Sequence, residues 1–132
     1  MLAITKQSDY GLILLSSAYK RKGLIKLSEL ISETNLPQRF LARIAAELVK
    51  KGLLISKEGK SGGYLISAKI KTISLYDYLK IFENDVIVSS CVDENFDCKF
   101  DKICNHKDFI KQRLNVVLTK ELKKIKLLQL IG

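Results

Sequence analysis

Several residue types and patterns are scarce in this chain, and each shortage excludes a class of protein. Of 132 residues one is Pro and seven are Gly, too few for a collagenous or low-complexity chain. No apolar run approaches the roughly 20 residues that a membrane-spanning helix needs; LILLSS is the nearest and is far too short. The start, MLAITKQSDYG, lacks the apolar stretch and small-residue cleavage site of a secretory signal. A soluble, cytoplasmic protein with no membrane partner is therefore expected. The chain has a single His, and no His-paired nucleophile, phosphate-binding loop or acid–base constellation, so an enzyme is not expected. Cysteine is scarce too: three thiols cannot all pair within one chain, and a reducing compartment disfavours structural disulfides.

What is present is apolar, basic and unevenly arranged. A hydrophobic fraction of 47% excludes intrinsic disorder and can fill the core of one ordinary domain. The net charge is +9, with 12 Lys and Arg against 5 Asp and Glu over residues 1–70, but 11 against 9 over residues 71–132. The first half is thus suited to a polyanion.

The patterning of that half predicts how the charge is displayed. Thr5 can cap a first helix running to about Tyr19, with Leu12, Leu15 and Tyr19 on one face and Gly23 beyond its end. Ser28 is expected to start a short second helix, SELISET, with Leu27 as a staple. Pro37 suits the first position of a third helix closed by Gly52, whose apolar stripe is Leu41, Ile44, Ala45 and Leu48. Gln38, Arg39 and Arg43 fall on its opposite face, placed for base or phosphate contact, since Gln can pair adenine and Arg guanine. Two β-rich runs, 53–56 and 64–67, flank a glycine-containing turn and predict a hairpin. Helix, turn, helix and hairpin in that order describe a winged helix-turn-helix. Ser74 with Asp77 predicts a fourth helix, and residues 107–128 show the longest helical pattern, with Ile110, Leu114, Val117, Leu118, Leu122, Ile125 and Leu128 on one face. A helix of that length is expected to pair with a copy of itself, because major-groove readers commonly bind two half-sites as dimers. The fold class expected is mainly α, with a DNA-binding domain at 1–70, a connecting helix and cysteine loop at 71–106, and a dimerisation helix at 107–132.

All three cysteines and the histidine lie in one stretch, CVDENFDCKFDKICNH, at residues 91–106. The spacing is Cys91-x6-Cys98-x5-Cys104, followed by His106 after one intervening residue. Thiolates select zinc, copper(I) or iron–sulfur clusters. Zinc sites usually use tight knuckles of two to four residues. Gaps of six and five instead suit a loop wrapped around something larger, and an iron–sulfur cluster is such an object. The fourth ligand is open between His106 and Asp9, which lies near the start of the first helix.

TKQSDYGLILL, LSELISETNLPQRFLARIAAELVKKGLL, GKSGGY and the three-cysteine stretch resemble, in that order, the Rrf-two family of winged-helix regulators, over nearly the whole chain. The resemblance implies a homodimeric transcription factor, most simply a repressor, on a palindromic double-stranded DNA operator. In it the third helix reads the major groove and the wing reaches the minor groove. Cys91, Cys98 and Cys104 would hold an iron–sulfur cluster whose state alters DNA affinity. SDYGL around Asp9 is most similar to the nitric-oxide-sensing NsrR branch, in which an aspartate here comes from the other subunit to complete a [4Fe-4S] site. The resemblance implies that IscR-like members, regulators of cluster biogenesis, instead use a histidine separated from the third cysteine by two residues for a [2Fe-2S] cluster; here one residue, Asn105, separates Cys104 from His106. Lys57, Lys60 and Ser61 are the expected wing contacts, although Glu58 stands where many members carry arginine. The reading of another class is a cluster-free or zinc-bound winged-helix module that assembles with other proteins.

Overall fold

The computed structural model describes residues 2–132, which divide into two compact units: 4–73 with 126–132, and 74–125 with Leu2 and Ala3. In chain order the helices of the first half are α1 (Lys6–Arg21), α2 (Leu27–Thr34) and α3 (Gln38–Lys50), followed by strands β1 (Leu54–Lys57) and β2 (Gly63–Ile66). Next come α4 (Leu75–Phe82), α5 (Lys107–Phe109), α6 (Asn115–Lys124) and α7 (Leu128–Ile131). Among the described residues, no helix is long and apolar enough to cross a membrane.

In the first unit α1 begins as expected: Thr5 Oγ1 accepts a hydrogen bond from Ser8 N at 3.3 Å. Its end differs from expectation. The chain turns at Lys22, left-handed at φ 54°, one residue before Gly23. Helix α2 likewise starts one residue early, with Lys26 at the cap and no side-chain capping bond, so Ser28 lies inside the helix. Helix α3 has no side-chain cap either, because Pro37 occupies that position. It is held by packing: Leu41, Ile44, Ala45 and Leu48 are all buried. Burying one Leu or Ile contributes about 1.5–3 kcal/mol, more than the ~1 kcal/mol of a typical cap. Gly52 closes α3 at φ +80°, a conformation that a side chain would strain, and Leu53 N then donates to Leu48 O at 2.9 Å.

Strands β1 and β2 pair antiparallel, Leu54 opposite Ile66 and Lys57 opposite Gly63; β1 starts one residue later than expected and β2 one residue earlier. At Gly62 an added Cβ would lie 2.2 Å from the Lys57 carbonyl oxygen, so the turn closes only around a glycine. Ile25 and Tyr64 exchange backbone hydrogen bonds, each 2.9 Å, and fasten the hairpin to the chain entering α2.

In the second unit Ser74 caps α4, its Oγ accepting from Asp77 N at 3.1 Å, and Tyr78 and Leu79 are buried. The last long helix departs from expectation in two ways. It is continuous from residue 107 only to Lys124, and it passes through a π-helical turn at Ile110–Leu114 between α5 and α6. Ile125 is extended, and its carbonyl accepts from Leu75 N at 2.8 Å. Leu128, expected in the same helix, belongs to the separate short helix α7 of the first unit.

Candidate DNA-reading surface and cysteine site

Helix α3 displays its polar face because its apolar face is consumed by the core. Gln38, Arg39 and Arg43 are exposed, and Leu41, Ile44, Ala45 and Leu48 are not. The N-terminal end of α3 is positioned from α1: the Tyr10 and Phe40 rings meet edge to face, centroids 5.3 Å apart. Arg21 at the end of α1 forks to Glu29 and Glu33 of α2, so two of the five acidic groups of residues 1–70 are paired with a cation. Asp9 is exposed in the first turn of α1, next in sequence to Tyr10.

The wing carries the other expected contacts. Lys57, Glu58, Lys60 and Ser61 are all exposed. An open cleft of about 400 Å³ lies between the hairpin and the start of α2, lined by Lys26, Ser28, Lys57, Glu58 and Lys60. Glu58 therefore stands among three lysines. Lys26 was not legible as part of this surface, since only the Ile25–Tyr64 pairing brings it to the wing.

The three cysteines are free, half-buried and gathered around one cavity of about 940 Å³. Its lining includes Cys91, Cys98, Cys104 and His106, the carboxylates of Asp93, Glu94 and Asp101, and the apolar Phe96, Phe100 and Ile103. Asp9 is not part of it and belongs to the other unit. Two sulfurs already have polar partners: Cys91 Sγ donates to Ser89 Oγ at 3.3 Å, and Phe100 N donates to Cys98 Sγ at 3.4 Å. The helix wall is tied to the loop by Lys107 with Asp101 and, at 4.0 Å, Lys111 with Glu94. The hydrogen bond from Lys107 to Asp101 and their charge attraction push the Lys107 pKa up.

Tested against a bound group, the donor chemistry fits: three free thiols and an imidazole face a space wider than one ion needs. The arrangement is not that of a compact ion site. Among the described residues, no three His, Cys, Asp or Glu side chains are grouped to hold a single metal ion. Sequence reading found the thiols and the imidazole but missed Ser89 and the aromatic lining. A hydroxyl two residues before a thiol was the available signal for Ser89.

Comparison with known proteins decides the family. The sequence model described as "Rrf2: Iron-dependent Transcriptional regulator" matches residues 4–132. The chain belongs to the Rrf2 family. Among its relatives, an Aquifex aeolicus protein described as an HTH-type transcriptional regulator is 30% identical over 84 residues, which are 63% of this chain and 58% of that protein. The match thus spans less than two thirds of the Aquifex protein. The Rrf2 chain is also 26% identical over 114 residues to the HTH-type transcriptional regulator NsrR of Oceanobacillus iheyensis, covering 84% of this chain and 78% of that one. The structure of CymR (YrzC), the global cysteine regulator of B. subtilis, superimposes with a TM-score of 0.74 at 22% identity, covering 99% of this chain and 97% of that chain. At that identity the likeness shows the fold, and the fold is the expected winged helix. The matching family and the NsrR relative are described as transcriptional regulators, not as enzymes.

Proposed function

We propose that this chain is an iron–sulfur-dependent transcriptional repressor of the cytoplasm. As a homodimer it binds a palindromic DNA operator and responds to nitric oxide or to redox and iron state, as in the NsrR branch. The observation that carries the proposal is the gathering of every thiol and the only imidazole around one cavity, in a chain whose other unit displays a basic reading helix and wing. The description of the matching family as iron-dependent and the NsrR relative support it.

In this reading Cys91, Cys98 and Cys104 would hold a cluster, [4Fe-4S] in preference to [2Fe-2S], and Asp9 of the second copy would supply the fourth ligand. A bound cluster would supply a redox- and nitric-oxide-reactive centre. The chain's own residues turn that reactivity into a DNA response. A carboxylate is the hardest and weakest of the four donors, so Asp9 would be the one held least firmly. Asp9 stands in the first turn of α1, and a shift of that turn would reach Phe40 at the head of α3 through the neighbouring Tyr10. Gln38, Arg39 and Arg43 would then lose their placement against the groove. Functionally, residues 1–70 bind DNA, 71–106 carry the ligands, and the helix within 107–132 pairs the copies. Homodimerisation is supported by that helix: none of its side chains is buried, although Phe109, Val116 and Val117 are 61%, 45% and 53% exposed.

One observation favours a second reading. His106 lines the same cavity as the thiols, which fits an IscR-like [2Fe-2S] site with His106 as the fourth ligand. Anaerobic purification with iron and sulfide counting tests the cluster itself: a brown protein with equal iron and sulfide is expected, whereas a colourless, iron-free or zinc-bound protein would refute it. Asp9→Ala and His106→Ala then separate the ligand sets, by which of them changes the visible spectrum.

A further inference from the structure

We infer that Asn115 is a positioning residue that couples the first cysteine to the long helix of the second unit; this rests on the cluster reading above. Asn115 opens α6, and its Oδ1 accepts a hydrogen bond from Val88 N at 3.0 Å. Because the partner is a backbone N–H, the amide oxygen must be the atom facing it. Val88 is followed by Ser89, whose hydroxyl is the partner of Cys91 Sγ. The Ser89 carbonyl accepts from Val92 N at 3.1 Å and the Ser90 carbonyl from Asp93 N at 3.1 Å, which winds Cys91 into a 3-10 turn. One hydrogen bond from the helix thus fixes the start of the segment that carries the first thiol.

The same residue closes the π-helical turn. Asn115 N donates to Ile110 O, the wide bond that ends Ile110–Leu114, and Ile110 and Lys111 line the cysteine cavity. Asn115 therefore joins two walls of one cavity, the helix wall through its backbone and the Cys91 segment through its side chain. The other links between loop and helix are weaker. Lys107–Asp101 and Lys111–Glu94 are exposed ion pairs, the second at 4.0 Å, and such pairs contribute little. π-Turns occur often at functional sites, where one extra residue in a turn shifts the phase of the helix that follows. Movement of Cys91 is delivered through Val88 to Asn115, the residue at which the phase of α6 is set.

The test uses the full chain with Asn115→Ala, which removes the acceptor, and Asn115→Asp, which keeps it. The first readout needs no cluster: amide hydrogen exchange across residues 86–92 of the apo protein. Exchange about fivefold faster in Asn115→Ala, with Asn115→Asp close to wild type, is expected from the loss of one hydrogen bond. The second readout is the ratio of DNA affinities between cluster-loaded and cluster-free protein, which should shrink toward one in Asn115→Ala at unchanged iron content and recover in Asn115→Asp. Wild-type protection and a full ratio in Asn115→Ala would overturn the inference, as would an Asn115→Asp protein that behaves like Asn115→Ala. If Asn115→Ala does not fold, Asn115→Gln, which displaces the acceptor by one methylene, takes its place with the same expected and contrary results. A wild-type protein that takes up no cluster would defeat the cluster reading, and with it this coupling, whereas failure of the Asn115 variants alone leaves that reading standing.

Discussion

Asp9 and Tyr10 are adjacent in sequence and do different work. Asp9 is exposed in the first turn of α1, where a carboxylate is also favoured by the helix dipole. Tyr10 touches the ring of Phe40 at the head of α3. In a purely structural role, replacing Asp9 removes a dipole interaction of about 0.3–1 kcal/mol and nothing else. In the proposed role, Asp9→Ala leaves DNA affinity of the apo protein within about twofold of wild type but uncouples it from the cluster, a loss of roughly 1–3 kcal/mol of coupling. Titrating operator binding with and without nitric oxide distinguishes the two. A variant that responds as wild type does would show that Asp9 is no ligand.

At the scale of elements, the wing depends on one position. Gly62 is buried, and a Cβ there would collide with the Lys57 carbonyl oxygen. Gly62→Ala is expected to cost about 1–3 kcal/mol of stability and to open the hairpin tip. If Lys57 and Lys60 contact phosphates, as proposed, the slope of log affinity against log salt should then flatten by roughly one to two. An unchanged slope would mean that the wing makes no phosphate contact. The elements also show what was legible in the sequence. The α3 stripe was read residue for residue, because a 3.6-residue period on a buried face leaves one solution. The hairpin was displaced by one residue at each strand, β1 starting one later and β2 one earlier than expected, because the turn sets register and Gly59, Gly62 and Gly63 offer several turns. The end of the long helix was misjudged for a tertiary reason: Ile125 continues the apolar period, yet its carbonyl pairs with Leu75 N and draws the backbone into an extended conformation. In the cysteine site the gathering of the thiols and the imidazole around one cavity was legible because they share one stretch of sequence. Asn115 was not, since a contact 27 residues distant leaves no local pattern.

For the whole molecule, charge and apolar surface divide the labour. The +9 net charge is concentrated in the half that holds α3 and the wing, and the helix of the other unit leaves apolar side chains exposed. Pairing of that helix with its copy would cover Val117, so Val117→Asp should shift the sedimentation coefficient from dimer to monomer and weaken operator binding by about two orders of magnitude, as expected when two half-sites are no longer bound together. A variant that remains dimeric would place the seam elsewhere. The central claim is that the state of the cysteine site controls DNA binding. Its most direct measurement is operator affinity of anaerobically purified, full-length protein before and after a stoichiometric nitric oxide titration, followed by fluorescence anisotropy at fixed salt. Loss of the brown absorbance together with a fall in affinity of about tenfold or more is expected. An affinity that stays constant while the absorbance bleaches, or a protein that binds its operator equally well with and without iron, would contradict it.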